Sequence, residues 1–198
     1  MKKERNDVLI HYGEEGKQDS YCHAEQWPQD QVLTAEHHTQ IWKTLRHPNI
    51  LQFLGANTLD NAPFVVMPFM PYTSRNFLRK NPGFDPLKIL RDVALGLEYL
   101  HQRRIIHGDL KGINILVDER DRAALCDFGL TNIKADISSR TYMEVGKAVS
   151  GSRNWMAPEL LSGSLPGRRS DIYAFGMTLY EVCTVLPICP HVHASHQA

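Results

Sequence analysis

The chain has 198 residues, with 22 Lys+Arg against 22 Asp+Glu, a formal net charge of zero and 42% hydrophobic residues. That size and balance describe an ordinary folded protein of one domain or little more, able to bury a core without staples. They exclude bulk disorder, a basic nucleic-acid footprint and a polybasic membrane patch.

The most apolar runs, 62–70 and 172–179, fall well short of the ~18 residues that a membrane helix needs. The N-terminus is basic, but no apolar stretch follows that would make a signal peptide. Cys22, Cys126, Cys183 and Cys189 are widely scattered, which argues against a disulfide framework and for a reducing, cytoplasmic compartment. Cys189, His191 and His193 in the tail, and His37-His38, lack the four ligands at regular spacing of a zinc site.

Residues 1–35 are polar and aperiodic, and no element is expected there. From 36 to 46 a short helical pattern carries Ile41, Trp42 and Leu45, and it must end before Pro48. Apolar runs at 50–55 and 64–70 flank a turn-rich stretch and read as a hairpin. Asp85-Pro86 is an N-cap followed by proline at the first helical position. Leu87, Leu90, Val93, Ala94, Leu97 and Leu100 then keep a helical period to His101.

Short apolar runs follow at 104–107, 113–117 and 123–128, the last two joined by the polar loop 118–122. The stretch 131–153 is long, polar and aperiodic, as functional loops often are. Ser170 opens a final helix over 171–182. That helix is apolar nearly all round and is expected to be buried on several sides.

Three segments carry chemistry. The first is His107-Gly108-Asp109-Leu110-Lys111-Gly112-Ile113-Asn114, the second Asp127-Phe128-Gly129, and the third Trp155-Met156-Ala157-Pro158-Glu159. Together, in this order, they resemble the catalytic loop, the D-F-G and the A-P-E of the protein kinases. The style of the motifs is most similar to the tyrosine-kinase-like group of Ser/Thr kinases. The resemblance implies an α+β, two-lobed kinase-like fold over 41–187, between an unmatched segment 1–40 and an unmatched tail 188–198. The N-lobe would be incomplete, a partial sheet plus the family's αC helix. The mainly helical C-lobe would stop after the buried αF helix.

It also implies roles. Asp109 would orient the acceptor hydroxyl and take its proton. Lys111 would contact the transferred phosphate, a feature of Ser/Thr rather than tyrosine specificity. Asn114 and Asp127 would hold Mg²⁺, which takes hard oxygen donors. ATP would sit against gatekeeper Met67, Pro68, the backbone of Met70 in the hinge, and Leu116. Gly129, Ser152, Ala157, Pro158 and Glu159 would belong to the activation segment. Trp42, Phe53, His107 and Phe128 would stack as a spine anchored by Asp171.

The chain departs from the family pattern at several places. No Gly-rich loop is present. Counting back from His47, the αC glutamate falls at His38 and the third-strand lysine at His23. Lys17 and Glu36 would substitute only with an unusual loop. Gly108 stands where the family's catalytic-loop arginine receives an activation-loop phosphate. Glu159 would lack the later arginine that normally pairs with it, since no arginine follows Arg169.

Three readings stay open: a Ser/Thr protein kinase of signalling, a pseudokinase or nucleotide-binding scaffold, and a truncated non-catalytic fragment. The expected partners are a Ser/Thr-containing protein substrate and a protein covering an exposed face of the last helix. Neither nucleic acid nor membrane is expected.

Overall fold

The computed structural model describes residues 8–12, 20–26, 39–57, 64–128 and 153–184, with the first two strands as backbone only. Strands β1 (Val8–Tyr12), β2 (Ser20–Gln26), β3 (Gly55–Asn57) and β4 (Phe64–Pro68) form one antiparallel sheet in the order β1-β2-β4-β3. Strands β5 (Tyr72–Thr73), β6 (Ile115–Val117) and β7 (Ala123–Leu125) form a second, also antiparallel. The helices are α1 (Ser74–Lys80), α2 (Pro86–Gln102), α3 (Pro158–Leu161) and α4 (Arg168–Thr184).

The polar N-terminal region therefore holds two strands where the sequence showed no element. A sheet edge recruited by β4 organises them, and pairing of that kind leaves no periodic trace in a polar strand. The register sets His23 opposite Met67.

The expected hairpin exists, but its first strand starts only at Gly55. The run before it goes elsewhere. Leu51 N–H donates to the Leu125 carbonyl at 2.9 Å, Leu125 N–H to the Asn49 carbonyl at 3.0 Å, and the Asn49 amide to the Ala123 carbonyl at 2.9 Å. Ile50 and Leu51 are thereby buried beside β7. Helical backbone is described over 39–42 of the expected 36–46.

Helix α2 follows its sequence signals. Asp85 Oδ1 accepts the Leu87 N–H at 3.0 Å, and proline occupies the first turn. Its buried face, Ile89, Leu90, Val93, Gly96, Leu97 and Leu100, packs on β7 and the 49–51 segment. Gly96 is required there, because a Cβ would lie 2.5 Å from the Asn49 carbonyl oxygen.

Helix α4 corrects two expectations. It starts at Arg168, not Ser170. The Ser170 hydroxyl reaches back to accept the Gly167 N–H at 2.9 Å, the N3 half of a capping box. Its burial pattern is also mixed, with only Ala174 and Val182 of its apolar residues fully buried. Ile172, Tyr173, Leu179 and Tyr180 are exposed, while Asp171, Thr178 and Glu181 are buried. The physical reason is the loop at 107–112, whose backbone groups need polar partners that α4 supplies.

Candidate active site

The loop 107–112 lies along α4, and three α4 side chains hold it in sequence. Asp171, 1% exposed, accepts the His107 N–H on Oδ2 and the Gly108 N–H on Oδ1, both at 2.9 Å. Its Oδ2 also lies 2.7 Å from His101 Nε2, on the last turn of α2. The Thr178 hydroxyl stands 3.4 Å from the Leu110 carbonyl. Glu181 accepts the Gly112 N–H at 2.8 Å. Positions 171, 178 and 181 share one helix face, so one rigid element sets the loop's path. From the other side, the Ser74 hydroxyl donates to the Gly112 carbonyl at 2.8 Å.

This support brings Asp109, Lys111 and Asn114 together. Lys111 Nζ lies 2.5 Å from Asp109 Oδ2. Asn114 Nδ2 donates to the Asp109 carbonyl at 2.8 Å and to Asp109 Oδ2 at 3.2 Å. The Asp109 carboxylate thus receives an ammonium and an amide. Asn114 closes a short 3₁₀ turn, and its carbonyl accepts the Cys126 N–H at 3.0 Å. That bond extends the β6–β7 ladder by one pair and delivers Asp127 beside the loop. Asp127 has φ 56°, a left-handed conformation that aspartate tolerates better than most residues.

The four aromatic rings at 53, 42, 128 and 107 form a continuous chain. Centroids are 5.7 Å apart for Phe53–Trp42, 5.7 Å for Trp42–Phe128 and 6.4 Å for Phe128–His107. Trp42 Nε1 also donates to the Leu51 carbonyl at 2.6 Å. His107 is fully enclosed, and its Nδ1 accepts the Asp109 N–H at 3.3 Å. Burial pushes its imidazole below the ordinary value, against the opposing pull of Asp171, Asp109 and Asp127. The ring is therefore neutral at pH 7, with its proton on Nε2.

Met67 is buried in β4, Pro68 ends that strand half-buried, and Met70 and Leu116 pack partly exposed against the same core. Ala157 is buried, and Pro158 opens α3. Glu159 is exposed. The missing arginine therefore leaves no buried charge here, because this side chain stays in water. Gly129, Ser152, Lys17, Glu36, His37, His38 and the tail histidines lie outside the described residues.

Glu181 and Ser74 were not legible as site residues. The only sequence trace of Glu181 is a charged residue inside an apolar helix, and Ser74 leaves none.

A family model described as protein tyrosine and serine/threonine kinase matches residues 22–196. The chain belongs to this protein kinase family. It is 32% identical over 155 residues to the probable serine/threonine-protein kinase kinX of Dictyostelium discoideum, covering 76% of this chain and 14% of that protein. It is 38% identical over 154 residues to serine/threonine-protein kinase CTR1 of Arabidopsis thaliana, covering 73% and 18%. It is 32% identical over 169 residues to mitogen-activated protein kinase kinase kinase 2 of the same plant, covering 83% and 26%. The chain thus spans about a quarter or less of these relatives' lengths.

Members of this family use ATP and Mg²⁺. The donor chemistry here fits that ion. With Nδ2 committed to Asp109, the Asn114 amide keeps Oδ1 as its acceptor, and Asp127 adds a carboxylate. One carboxylate and one amide oxygen, completed by phosphates and water, is the kind of set that Mg²⁺ takes. No helix among the described residues is long and apolar enough to cross a membrane.

Proposed function

We propose that this chain transfers the γ-phosphoryl group of ATP to Ser/Thr hydroxyls of a protein substrate. The observation that carries the reading is the convergence of Lys111 Nζ and Asn114 Nδ2 on the single carboxylate of Asp109. Mg²⁺-bound ATP supplies the transferable group and neutralises its charge. The Asp109 carboxylate accepts the proton of the incoming hydroxyl. Lys111, already at its Oδ2, is placed to meet the negative charge of the transferred group. Asn114 and Asp127 hold the ion. Met67, Pro68, the Met70 backbone and Leu116 form the adenine pocket, and the ring chain from Phe53 to His107 joins the two sheets as the spine of a two-lobed domain. The scattered cysteines support a cytoplasmic setting.

The test is transfer of labelled phosphate from Mg²⁺-ATP to myelin basic protein by the full chain. Asp109→Asn should lower the rate at least about 10²-fold, the usual worth of a positioned base. An unchanged rate in that variant would refute the assignment.

A second reading, a nucleotide-binding pseudokinase, is favoured by one observation. The β2 strand that pairs with Met67's strand carries His23 there and no lysine. Loss of the lysine clamp removes preorganised charge, worth about 10²–10³ in rate per donor. A Mg²⁺-ATP thermal shift without transfer, unaltered by Asp109→Asn, would select this reading.

A further inference from the structure

We infer that Arg75 and Arg79 of α1 select an acidic protein acceptor, by meeting carboxylates a few residues from the phosphorylated hydroxyl. The inference deepens the proposed kinase function and rests on it for its kinetic arm. Helix α1 carries Arg75, Arg79 and Lys80 and no acid. Lys80 lies over the Tyr72 ring, 4.7 Å from its centroid. Arg75 and Arg79 are one turn apart and share a face, so two like charges stand together, an arrangement that weakens a helix taken alone. Among the described residues neither arginine makes a hydrogen bond or an ion pair.

The helix is held beside the catalytic loop. The Ser74 hydroxyl donates to the Gly112 carbonyl at 2.8 Å, the Thr73 hydroxyl caps the helix by accepting the Asn76 N–H at 3.3 Å, and Phe77 and Leu78 are buried in the core. Arg75 follows Ser74 directly and is partly buried, with its Nε shut off from water and given no acceptor. Its packed stem limits where the guanidinium can go, and nothing on the helix balances the charge. Arg79 is exposed. Ile113, the residue after Gly112, is 50% exposed and apolar, so the turn beside α1 adds no acid to oppose an incoming carboxylate. Gly112 is three residues from Asp109, on the order of 10 Å of chain. A peptide whose hydroxyl lies at the Asp109 carboxylate, extended at about 3.3 Å per residue, brings roughly its third neighbour on one side to α1. Guanidinium groups grip carboxylates through two parallel N–H bonds, so acidic side chains are the chemistry that matches this surface.

Two dye-labelled peptides test this on the full chain with Mg²⁺-ATP present. Both carry alanine in place of the acceptor serine, one flanked by aspartates and one by lysines, so binding is read without any need for activity. By fluorescence anisotropy the aspartate peptide should bind at least about tenfold more tightly, the scale of a hydrogen bond to a charged group, and added salt should narrow the gap. Arg75→Met/Arg79→Gln keeps the stems and removes both charges, and it should bring the two peptides level. Arg120→Glu, a charge reversal at the exposed β6–β7 turn, should leave the preference intact. Thermal unfolding of each variant checks that it is folded. In the transfer assay the parent should show a lower KM for casein, an acidic protein, than for myelin basic protein. Arg75→Met/Arg79→Gln should raise the casein KM about tenfold, with KM for ATP unchanged.

If the aspartate peptide binds the parent no more tightly than the lysine peptide, or if folded Arg75→Met/Arg79→Gln keeps the parent's preference, the inference is overturned. If the parent chain transfers no phosphate, the proposed function fails, and the binding data still decide the peptide preference.

Discussion

The Asp171 carboxylate holds the Gly108 backbone in a left-handed conformation within the 107–112 loop. Asp171 Oδ1 accepts the Gly108 N–H at 2.9 Å while Gly108 holds φ 79°. Glycine adopts that conformation freely, whereas a side chain there costs about 1–2 kcal/mol. Gly108→Ala should therefore lower stability by about 1 kcal/mol, read as a lower urea midpoint at unchanged slope. A variant as stable as the parent would show that the loop relaxes out of this conformation.

The same glycine bears on control. Position 108 holds glycine where the family's pattern has the arginine that receives an activation-loop phosphate, so that route is not open to this chain. Asp substitutions at Ser138, Ser139, Thr141 or Ser150 should leave phosphate transfer within about twofold of the parent, since a phosphate works by creating Arg-paired hydrogen bonds. A sharp rise in rate for any of them would reveal another receiver.

Gly96 sets two effects of opposite sign against each other. Alanine raises helix propensity by about 1 kcal/mol in a helix interior. Its methyl group would meet the Asn49 carbonyl oxygen at 2.5 Å, a backbone atom held by Leu125 N–H. Overpacking of that kind costs about 1–3 kcal/mol, so Gly96→Ala should be a net loss despite the better helix former. Equilibrium unfolding of the variant decides which effect wins.

Asn114 is 3% exposed, and its side chain spans the catalytic loop to reach Asp109. Asn114→Ala leaves the Asp109 carbonyl without that donor and should cost about 1–3 kcal/mol. Its larger effect should be on phosphate transfer, with the Mg²⁺ requirement shifted to higher concentration. A magnesium titration of the rate would measure it.

His107 gives the protein an acid-sensitive core. Its folded-state pKa is lowered by burial, with Asp171, Asp109 and Asp127 opposing, while in the unfolded chain it titrates near 6.5. Below that pH the unfolded state binds a proton that the folded state does not, so stability falls as pH falls. The contribution is fully present above about pH 6.5 and declines by at most about 1.4 kcal/mol per pH unit below it. Denaturant midpoints between pH 7 and 5 should show this slope, and His107→Phe should flatten it. His47, whose pKa burial and Arg103 also lower against Glu98, adds a smaller slope of the same sign. An equal slope in the parent and in His107→Phe would place the acid sensitivity elsewhere.

Much of the site was legible because its signals are local. An Asp–Pro cap followed by a helical period predicts α2 to within one residue. Asp109, Lys111, Asn114 and Asp127 sit in short motifs, as do His107 and Phe128, whereas Trp42 and Phe53 were named only from the family resemblance. Even the hairpin of β6 and β7 shows in two apolar runs around a polar loop.

What stayed hidden depends on partners far away in the chain. Strands β1 and β2 exist because β4 offers them an edge. Ile50 and Leu51 join β7, which lies some 75 residues on, a distance across which composition carries no register. Helix α4 reads as an apolar helix, yet it turns Asp171, Thr178 and Glu181 inward, because loop 107–112 has backbone groups that only polar side chains satisfy. Residue types and their spacing were enough to point to the family. The convergence of Lys111 and Asn114 on Asp109 is local in sequence, whereas the meeting of Gly112 and Trp155 on Glu181 arose only when folding brought distant segments within hydrogen-bond reach.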